Sequence, residues 1–284
     1  MPEATRAFID LHAHSTASDG SCSPTTLVEE AKRLGLFAVA ITDHDTLDGV
    51  AEAQIAADRL DIRLVRGIEL SAVEQDEETH VLGLHISEEG ELQHRLVELK
   101  QMRRTRAERI VTRLNELGVR IGFDDVLECA AGGALGRPHV ARALVNGGWA
   151  MDFRDAFDRY LGNGRPAYVG KERLPIAEAF DMIHRARGLA VLAHPGAAGK
   201  RERIEALVAK GLDGLEVMHP GHNAEDIARL GALADHFGLV RSGGSDWHGA
   251  TEGGRVLGKL EVPVEWLSRQ DELVAKRTAH ERVA

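Results

Sequence analysis

The 284-residue sequence predicts an α/β fold with a largely parallel sheet, interrupted once by a run of helices. Three observations predict it. Short apolar runs rich in β-branched residues alternate with amphipathic stretches of helical period. The helical stretches carry start and stop signals at their ends. The alternation lapses between about Glu88 and Pro166, where helical patterns follow one another with no convincing strand between them.

The expected strands, in order, are "AFIDLHAH", "FAVAITDH", "RLVRGIELS", "HVLGLHI", "LAVLAHP", "GLEVMHP" and "LVRSGGSD". Between the first two lies "SPTTLVEEAKRLG", where Ser23 can cap, Pro24 suits the first helical position and Gly35 can end the helix. "PIAEAFDMIHRARG" repeats that grammar around Pro175 and Gly188. Strand–helix alternation of this kind builds an open sheet or a barrel with helices outside, and functional residues gather where the strands end. The lapse in the pattern reads as a helical subdomain at 88–168, a lid over that edge, inserted into a discontinuous domain of 1–87 and 169–284. It holds a long helix, "ELQHRLVELKQMRRTRAERIVTRLNELG", then "RPHVARALVNGG" and "MDFRDAFDRYLGNG". The closing "RQDELVAKRTAHERVA" is polar and reads as a surface helix or a frayed tail.

Composition narrows the function classes. Aromatic residues make up 4% of the chain, so stacking platforms for single-stranded nucleic acid are not advertised. A formal net charge of −10 opposes a general binder of nucleic acid or anionic membrane. Two cysteines, Cys22 and Cys129, make neither a disulfide framework nor a thiolate zinc site and suit a reducing cytoplasm. No apolar run matches a bilayer span, and "MPEATRAFID" lacks the apolar core of a signal peptide. A cytoplasmic protein with no membrane and no stable protein partner is expected.

The chemistry collects at the ends of the apolar strands. His12 and His14 are two apart, so an extended chain points both to one face with Asp10, leaving Ile9, Leu11 and Ala13 to pack against outer helices. Asp19 follows in a Ser/Gly-rich turn, and Asp43, His44 and Asp45 end another strand. Glu69 lies among apolar neighbours, an awkward place for a charge without a partner. His80 and His85 have opposite parity, so only one can face a site; His194, Asp246 and His248 again follow apolar runs. Imidazole and carboxylate at so many strand ends suit a cluster of two or three divalent ions: manganese is favoured, with iron(II), zinc and magnesium as alternatives. Spacing alone does not assign ligands to ions.

In this order "DLHAHSTASDG", "ITDHDT", "GIELS", "HVLG", "AHPG" and "GGSDWHG" resemble the PHP (polymerase and histidinol phosphatase) family, over roughly residues 8–87 and 169–258. "GRPHVARALV" and "LGNGRPAYV" resemble its branch of nucleoside 3′,5′-bisphosphate phosphatases. The resemblance implies a distorted (β/α)7 barrel with a trinuclear metal site. It implies that His12, His14, Glu69 and Asp246 hold one ion, with Glu69 bridging to a second held by His80 and His194. Asp19, His44 and His248 would hold the third. Asp43 and Asp45 would orient metal-bound imidazoles, and His194 or His248 would assist the leaving group.

The implied activity is hydrolysis of a small nucleotide phosphate by metal-activated hydroxide, most simply 3′-phosphate release from a nucleoside 3′,5′-bisphosphate. The alternatives are a 5′-to-3′ exonuclease on short 5′-phosphorylated RNA, a histidinol-phosphate-type phosphatase, and a non-enzymatic metal-binding protein with a vestigial site. Arg137 and His139 in "GRPH", with Arg165 and Lys171, are expected to grip substrate phosphate. His219, His222 and Trp247 are candidate nucleoside contacts. The basic run from Lys100 through Arg103, Arg104, Arg106 and Arg109 to Arg113 reads first as a solvated helix face, and second as a rim guiding RNA.

Overall fold

The computed structural model describes residues 8–75, 77–130, 135–170, 174–251 and 254–281. The strands are β1 (Phe8–Asp10), β2 (Ala38–Ile41), β3 (Arg63–Glu74), β4 (Glu77–Leu84), β5 (Leu174–Pro175), β6 (Leu189–Leu192), β7 (Gly214–Met218), β8 (Val240–Gly243) and β9 (Val262–Pro263). The helices are α1 (Pro24–Arg33), α2 (Val50–Leu60), α3 (Gly90–Glu116), α4 (Phe123–Ala130), α5 (Arg137–Asn146), α6 (Phe153–Ala156), α7 (Ile176–Arg185), α8 (Arg201–Val208), α9 (Ala224–Phe237) and α10 (Val264–Glu281). A π-helical turn, Phe157–Leu161, extends α6. The chain divides into two compact units, one of residues up to Gln93 with those from Leu174 onward, the other His94–Arg173.

In the first unit the strands run β8-β7-β6-β4-β3-β2-β1-β9, with β5 beside β3. The ends of this sheet meet: Leu11 N donates to Gly243 O at 3.0 Å, His14 N to Trp247 O at 2.8 Å, and Ala13 bridges Trp247 in parallel. The sheet is therefore nearly closed into a distorted barrel with helices around it. It is mixed rather than largely parallel. β4 lies antiparallel to both β3 and β6, and the β3–β4 pairing runs from Gly67↔Leu84 to Glu74↔Glu77. A tight hairpin turn at Gln75, where φ is +48°, reverses the chain; a parallel partner would need a long crossover instead.

Local signals act largely as read. Ser23 Oγ accepts from Thr26 N at 3.1 Å, Pro24 opens α1, and Gly35 adopts φ +73° after it. At α7 the helix starts one residue later than the proline signal, with Pro175 as its cap residue, and Arg187 rather than Gly188 takes positive φ (+57°). Ile9 and Leu11 pack among strand residues, Ala38, Ala40, Val65, Leu82, Leu84 and Val191, and α10 contributes Leu267 with Val264 and Trp266 at the margin. The outer-helix contact expected for them is thus largely replaced by strand neighbours. α10 is not a frayed tail: Gln270 is buried, meeting His85 Nε2 at 2.9 Å and Arg241 O at 2.8 Å, and Arg277 pairs with buried Asp213.

The second unit has its own core, built around Ile110, Leu114, Val126, Val140, Leu144 and Leu161. The basic run on α3 is partly committed inside this unit. Arg106 Nε donates to Val169 O at 2.9 Å, Arg113 to Tyr168 O, and Arg104 lies 4.8 Å over the Phe123 ring.

Candidate metal centre

Closure of the sheet brings the polar strand ends together. His12, His14, Glu69 and Asp246 are all buried. His12 Nε2 lies 3.1 Å from His14 Nε2, 3.1 Å from Glu69 Oε2 and 3.4 Å from Asp246 Oδ1. His14 Nε2 lies 3.2 Å from each of the same two carboxylate oxygens. A tetrahedral ion with ligand bonds near 2.0–2.1 Å sets its ligand atoms about 3.3 Å apart, and these five separations match that spacing.

Two further groups share members with the first. Glu69 Oε1 meets His80 Nδ1 at 2.9 Å and His194 Nε2 at 3.0 Å, and His44 Nδ1 stands 3.3 Å from Glu69 Oε2. Asp19 Oδ1 is 3.3 Å from His248 Nε2 and 3.8 Å from His14 Nδ1, and Asp19 Oδ2 is 4.0 Å from His44 Nε2. His14, Asp19, His44 and His248 converge, as do His44, Glu69 and His80. Buried His14 Nδ1 and His44 Nδ1 have no hydrogen-bond partner. Orphaned buried imidazole nitrogens beside carboxylates are what a cation would satisfy, and the donor set fits a borderline divalent ion.

Three residues at the cage have left-handed backbone. His194, Asp246 and Asp45 have φ of +30°, +51° and +52°, in the left-handed region that side chains other than glycine seldom enter. A Cβ on Gly244 would lie 2.3 Å from His12 N, so only glycine lets the 243–247 segment pass His12 so closely.

Burial alone would lower the pKa of His12, but Glu216 and Glu69 outweigh it and hold the ring well above its ordinary range. Against the same opposition from burial, Asp246 and Glu69 raise His14, and Glu69 with Glu78 brings His80 up to about 10. His44 is lowered, chiefly by burial. Burial also opposes ionisation of the acids, yet the imidazoles hold Glu69 and Asp246 below the usual carboxylate range and draw Asp19 down to about 2. The carboxylates thus favour protonation of His12, His14 and His80, while His44 goes the other way.

Around the cage, Glu216 of β7 does work that the sequence reading did not foresee. It is fully buried; Oε1 meets His12 Nδ1 at 2.9 Å and Oε2 accepts from His194 N at 2.6 Å. The signal was present in "GLEVMHP", a charge inside a buried strand like Glu69. Asp43 accepts from Ser15 N and Oγ, both at 2.7 Å, and from Ser18 Oγ at 2.6 Å, while Asp45 accepts from Ser71 N and Oγ at 2.9 Å. Through these bonds both aspartates tie loops in place. His219, a candidate nucleoside contact, is buried with Nε2 3.3 Å from Asp246 Oδ2. His222 spends both ring nitrogens on backbone, at Val217 O and Gly196 N. Trp247 is buried, its indole N–H on Ala250 O at 2.7 Å, so its ring offers no open stacking face.

The expected phosphate-gripping residues lie in the second unit. Arg137 Nη1 donates to Leu161 O at 3.1 Å, and its guanidinium sits between the Phe157 and Tyr168 rings, 5.6 and 5.5 Å from their centroids. His139 Nδ1 accepts from Gly136 N at 3.1 Å, Arg165 is exposed, and Lys171 lies outside the described residues.

The profile of the PHP-domain family matches residues 10–166, more than half of the chain. The chain belongs to the PHP-domain family. This PHP-domain protein is 37% identical over 262 residues, 90% of its length and 92% of the relative's, to a 3′,5′-nucleoside bisphosphate phosphatase of Chromobacterium violaceum. It is 38% identical over 245 residues, 84% of its length and 89% of the relative's, to a 5′-3′ exoribonuclease of Haemophilus influenzae. Among solved structures, an amidohydrolase from C. violaceum with bound sulfate and no metal matches at TM-score 0.71 and 34% identity, covering 93% of this chain and 97% of that one. The PHP-domain protein is accordingly a hydrolase of phosphoesters in a metal-dependent family. Among its described residues, no helix is long and apolar enough to cross a membrane.

Proposed function

We propose that this PHP-domain protein is a phosphomonoesterase that releases the 3′-phosphate of a nucleoside 3′,5′-bisphosphate. The observation that carries the reading is the donor cage around Glu69, spaced for small divalent ions and holding unpartnered imidazole nitrogens. The substrate is supported by the 37% identity to the C. violaceum phosphatase. His12, His14, Glu69 and Asp246 would hold one ion, Glu69, His80 and His194 a second, and Asp19, His44 and His248 a third. Manganese is the first choice among manganese, iron(II), zinc and magnesium. Divalent ions held there supply an acidified water and neutralise charge on the phosphoryl oxygens.

The chain's own residues prepare that chemistry. Glu216 accepts a proton held on His12 Nδ1 and so leaves the Nε2 lone pair turned into the cage. The same carboxylate accepts from His194 N, which keeps the strained His194 in place beside Glu69. His219 occupies the outer oxygen of Asp246, and Oδ1 is left to the cage.

Phosphate release from a panel of nucleoside bisphosphates, mononucleotides and sugar phosphates, with each of the four metals in turn, tests the reading. The 3′,5′-bisphosphate should be the best substrate, with phosphate leaving the 3′ position. Absence of release from every member would sink it. The 38% identity to the H. influenzae exoribonuclease supports a second reading, stepwise trimming of 5′-phosphorylated RNA by the same cage; shortening of such oligomers under the same conditions would favour it.

A further inference from the structure

The cage is built from imidazole and carboxylate, and among the described residues a fixed positive charge, Arg255, reaches it. Asp246 divides its two oxygens. Oδ1 faces His12 and His14, and Oδ2 faces His219 Nε2 at 3.3 Å and Arg255 Nη2 at 3.0 Å. The carboxylate is 7% exposed, whereas the arginine side chain is 54% exposed. The loop carrying Arg255 lies against the turn after β7, where a Cβ on Gly254 would stand 3.5 Å from Pro220 Cβ. The guanidinium therefore comes from the solvent side onto the outer oxygen of a cage carboxylate.

We propose that Arg255 is a substrate-binding residue that grips the phosphoryl group of a phosphate monoester held at the cage. A guanidinium carries five N–H donors in a planar fork, and the Asp246 contact engages one nitrogen of it. A counter-ion serving only to neutralise a buried carboxylate would gain most by a buried, two-pronged pairing. Arg255 is open to solvent over half its surface and touches through a single nitrogen, so donors remain for a second anion. A dianionic phosphate monoester offers paired oxygens of matching geometry. Asp246 orients the fork, and His219 holds the same oxygen from the buried side.

The inference rests on the phosphoesterase reading, and its test keeps the two apart. Arg255→Ala and Arg255→Lys are compared with the wild type, each loaded with manganese, for metal content, for KM and kcat on a phosphate monoester, and for binding of inorganic phosphate by calorimetry. Arg255→Ala should keep its metal and lose phosphate affinity about 10- to 100-fold, as loss of a hydrogen bond between charged partners implies, with KM rising in step. Arg255→Lys should recover only part of it, because an ammonium cannot form the fork. Unchanged phosphate affinity in Arg255→Ala would overturn the inference while leaving the phosphoesterase reading intact. Loss of metal together with phosphate binding would also overturn it, by assigning the arginine to holding Asp246. A wild type that released no phosphate would remove the phosphoesterase reading, and phosphate calorimetry on the variants would still decide what Arg255 binds.

Discussion

Glu216→Gln is the sharpest probe of how the cage is prepared. Both partners of Glu216 are N–H donors, His12 Nδ1 at 2.9 Å and His194 N at 2.6 Å, and the carboxylate accepts from each with a different oxygen. A glutamine of the same shape has one acceptor and one NH2. The His194 N–H cannot turn away, so the amide oxygen faces it and the NH2 faces His12 Nδ1. That forces the proton of His12 onto Nε2, the nitrogen that points at His14, Glu69 and Asp246. The atom meant to offer a lone pair would then carry a proton. Loss of such an orienting partner typically weakens metal binding 10- to 100-fold, about 1.4–2.7 kcal/mol. Metal titration of the chelator-treated protein should show that loss, with activity falling at limiting metal and partly returning at saturation. Wild-type metal affinity in Glu216→Gln would refute the tautomer argument. Loss of folded protein by circular dichroism would instead assign Glu216 to stability.

The raised pKa values of His12, His14 and His80, the last up to about 10, mean that these rings must shed protons to bind a metal, so metal affinity should fall as pH falls and keep rising above neutrality. Calorimetry in buffers of differing ionisation heat counts the released protons, and affinity that is flat from about pH 6 to 9 would contradict the cage electrostatics. For the metal-free protein the signs are opposite for base and acid. The contribution of His80 is complete below its ordinary value of 6.5 and lost as pH rises through about 10. That of Asp19 is complete above 3.8 and lost as pH falls towards about 2. Gly244→Ala places a methyl 2.3 Å from His12 N and should strip metal and activity from a protein that still folds, measured by metal content beside circular dichroism. Away from the cage, Asp213→Asn removes the charge that Arg277 and His184 grip, and should cost about 1.5–3 kcal/mol by urea denaturation without altering metal content.

The cage was legible because its signal is local. An imidazole or carboxylate at the end of an apolar strand is costly alone, and parity puts His12 and His14 on one face and separates His80 from His85; the structure turns His85 away, to Gln270. The antiparallel β4 was not legible. "EQDEE" carries no Asn-Gly or Asp-Gly signal, and four acids near a turn read as a loop. What decides the pairing is register across eight residue pairs of β3 and β4, a property of two segments together. The anchoring of α10 failed for the same reason. Gln270 and Arg277 are ordinary polar letters until the fold sets them against Arg241 O and Asp213. The surroundings of Arg137 were not legible either: two aromatic rings and a carbonyl engage it within its own unit, and none of them is announced by a cation beside a proline.

The three donor groups are not independent sites. His14 and Glu69 serve the central group, His14 also joins Asp19 and His248, and His44 joins both Asp19 and Glu69. A ring nitrogen or a carboxylate oxygen drawn towards one ion is withdrawn from, or turned towards, its neighbour, so occupancy of one group changes the ligands offered to the next. The electrostatics act in the same direction. Glu69 is held ionised by the imidazoles around it, and each proton that leaves those rings must be replaced by another positive charge if a carboxylate this deeply buried is to stay ionised. An ion held there would supply that charge and lower the cost of deprotonating the rings beside it. Glu69, with both oxygens committed, links the central group to His80, while His14 and His44 link both to Asp19 and His248, so the coupling runs through these three residues.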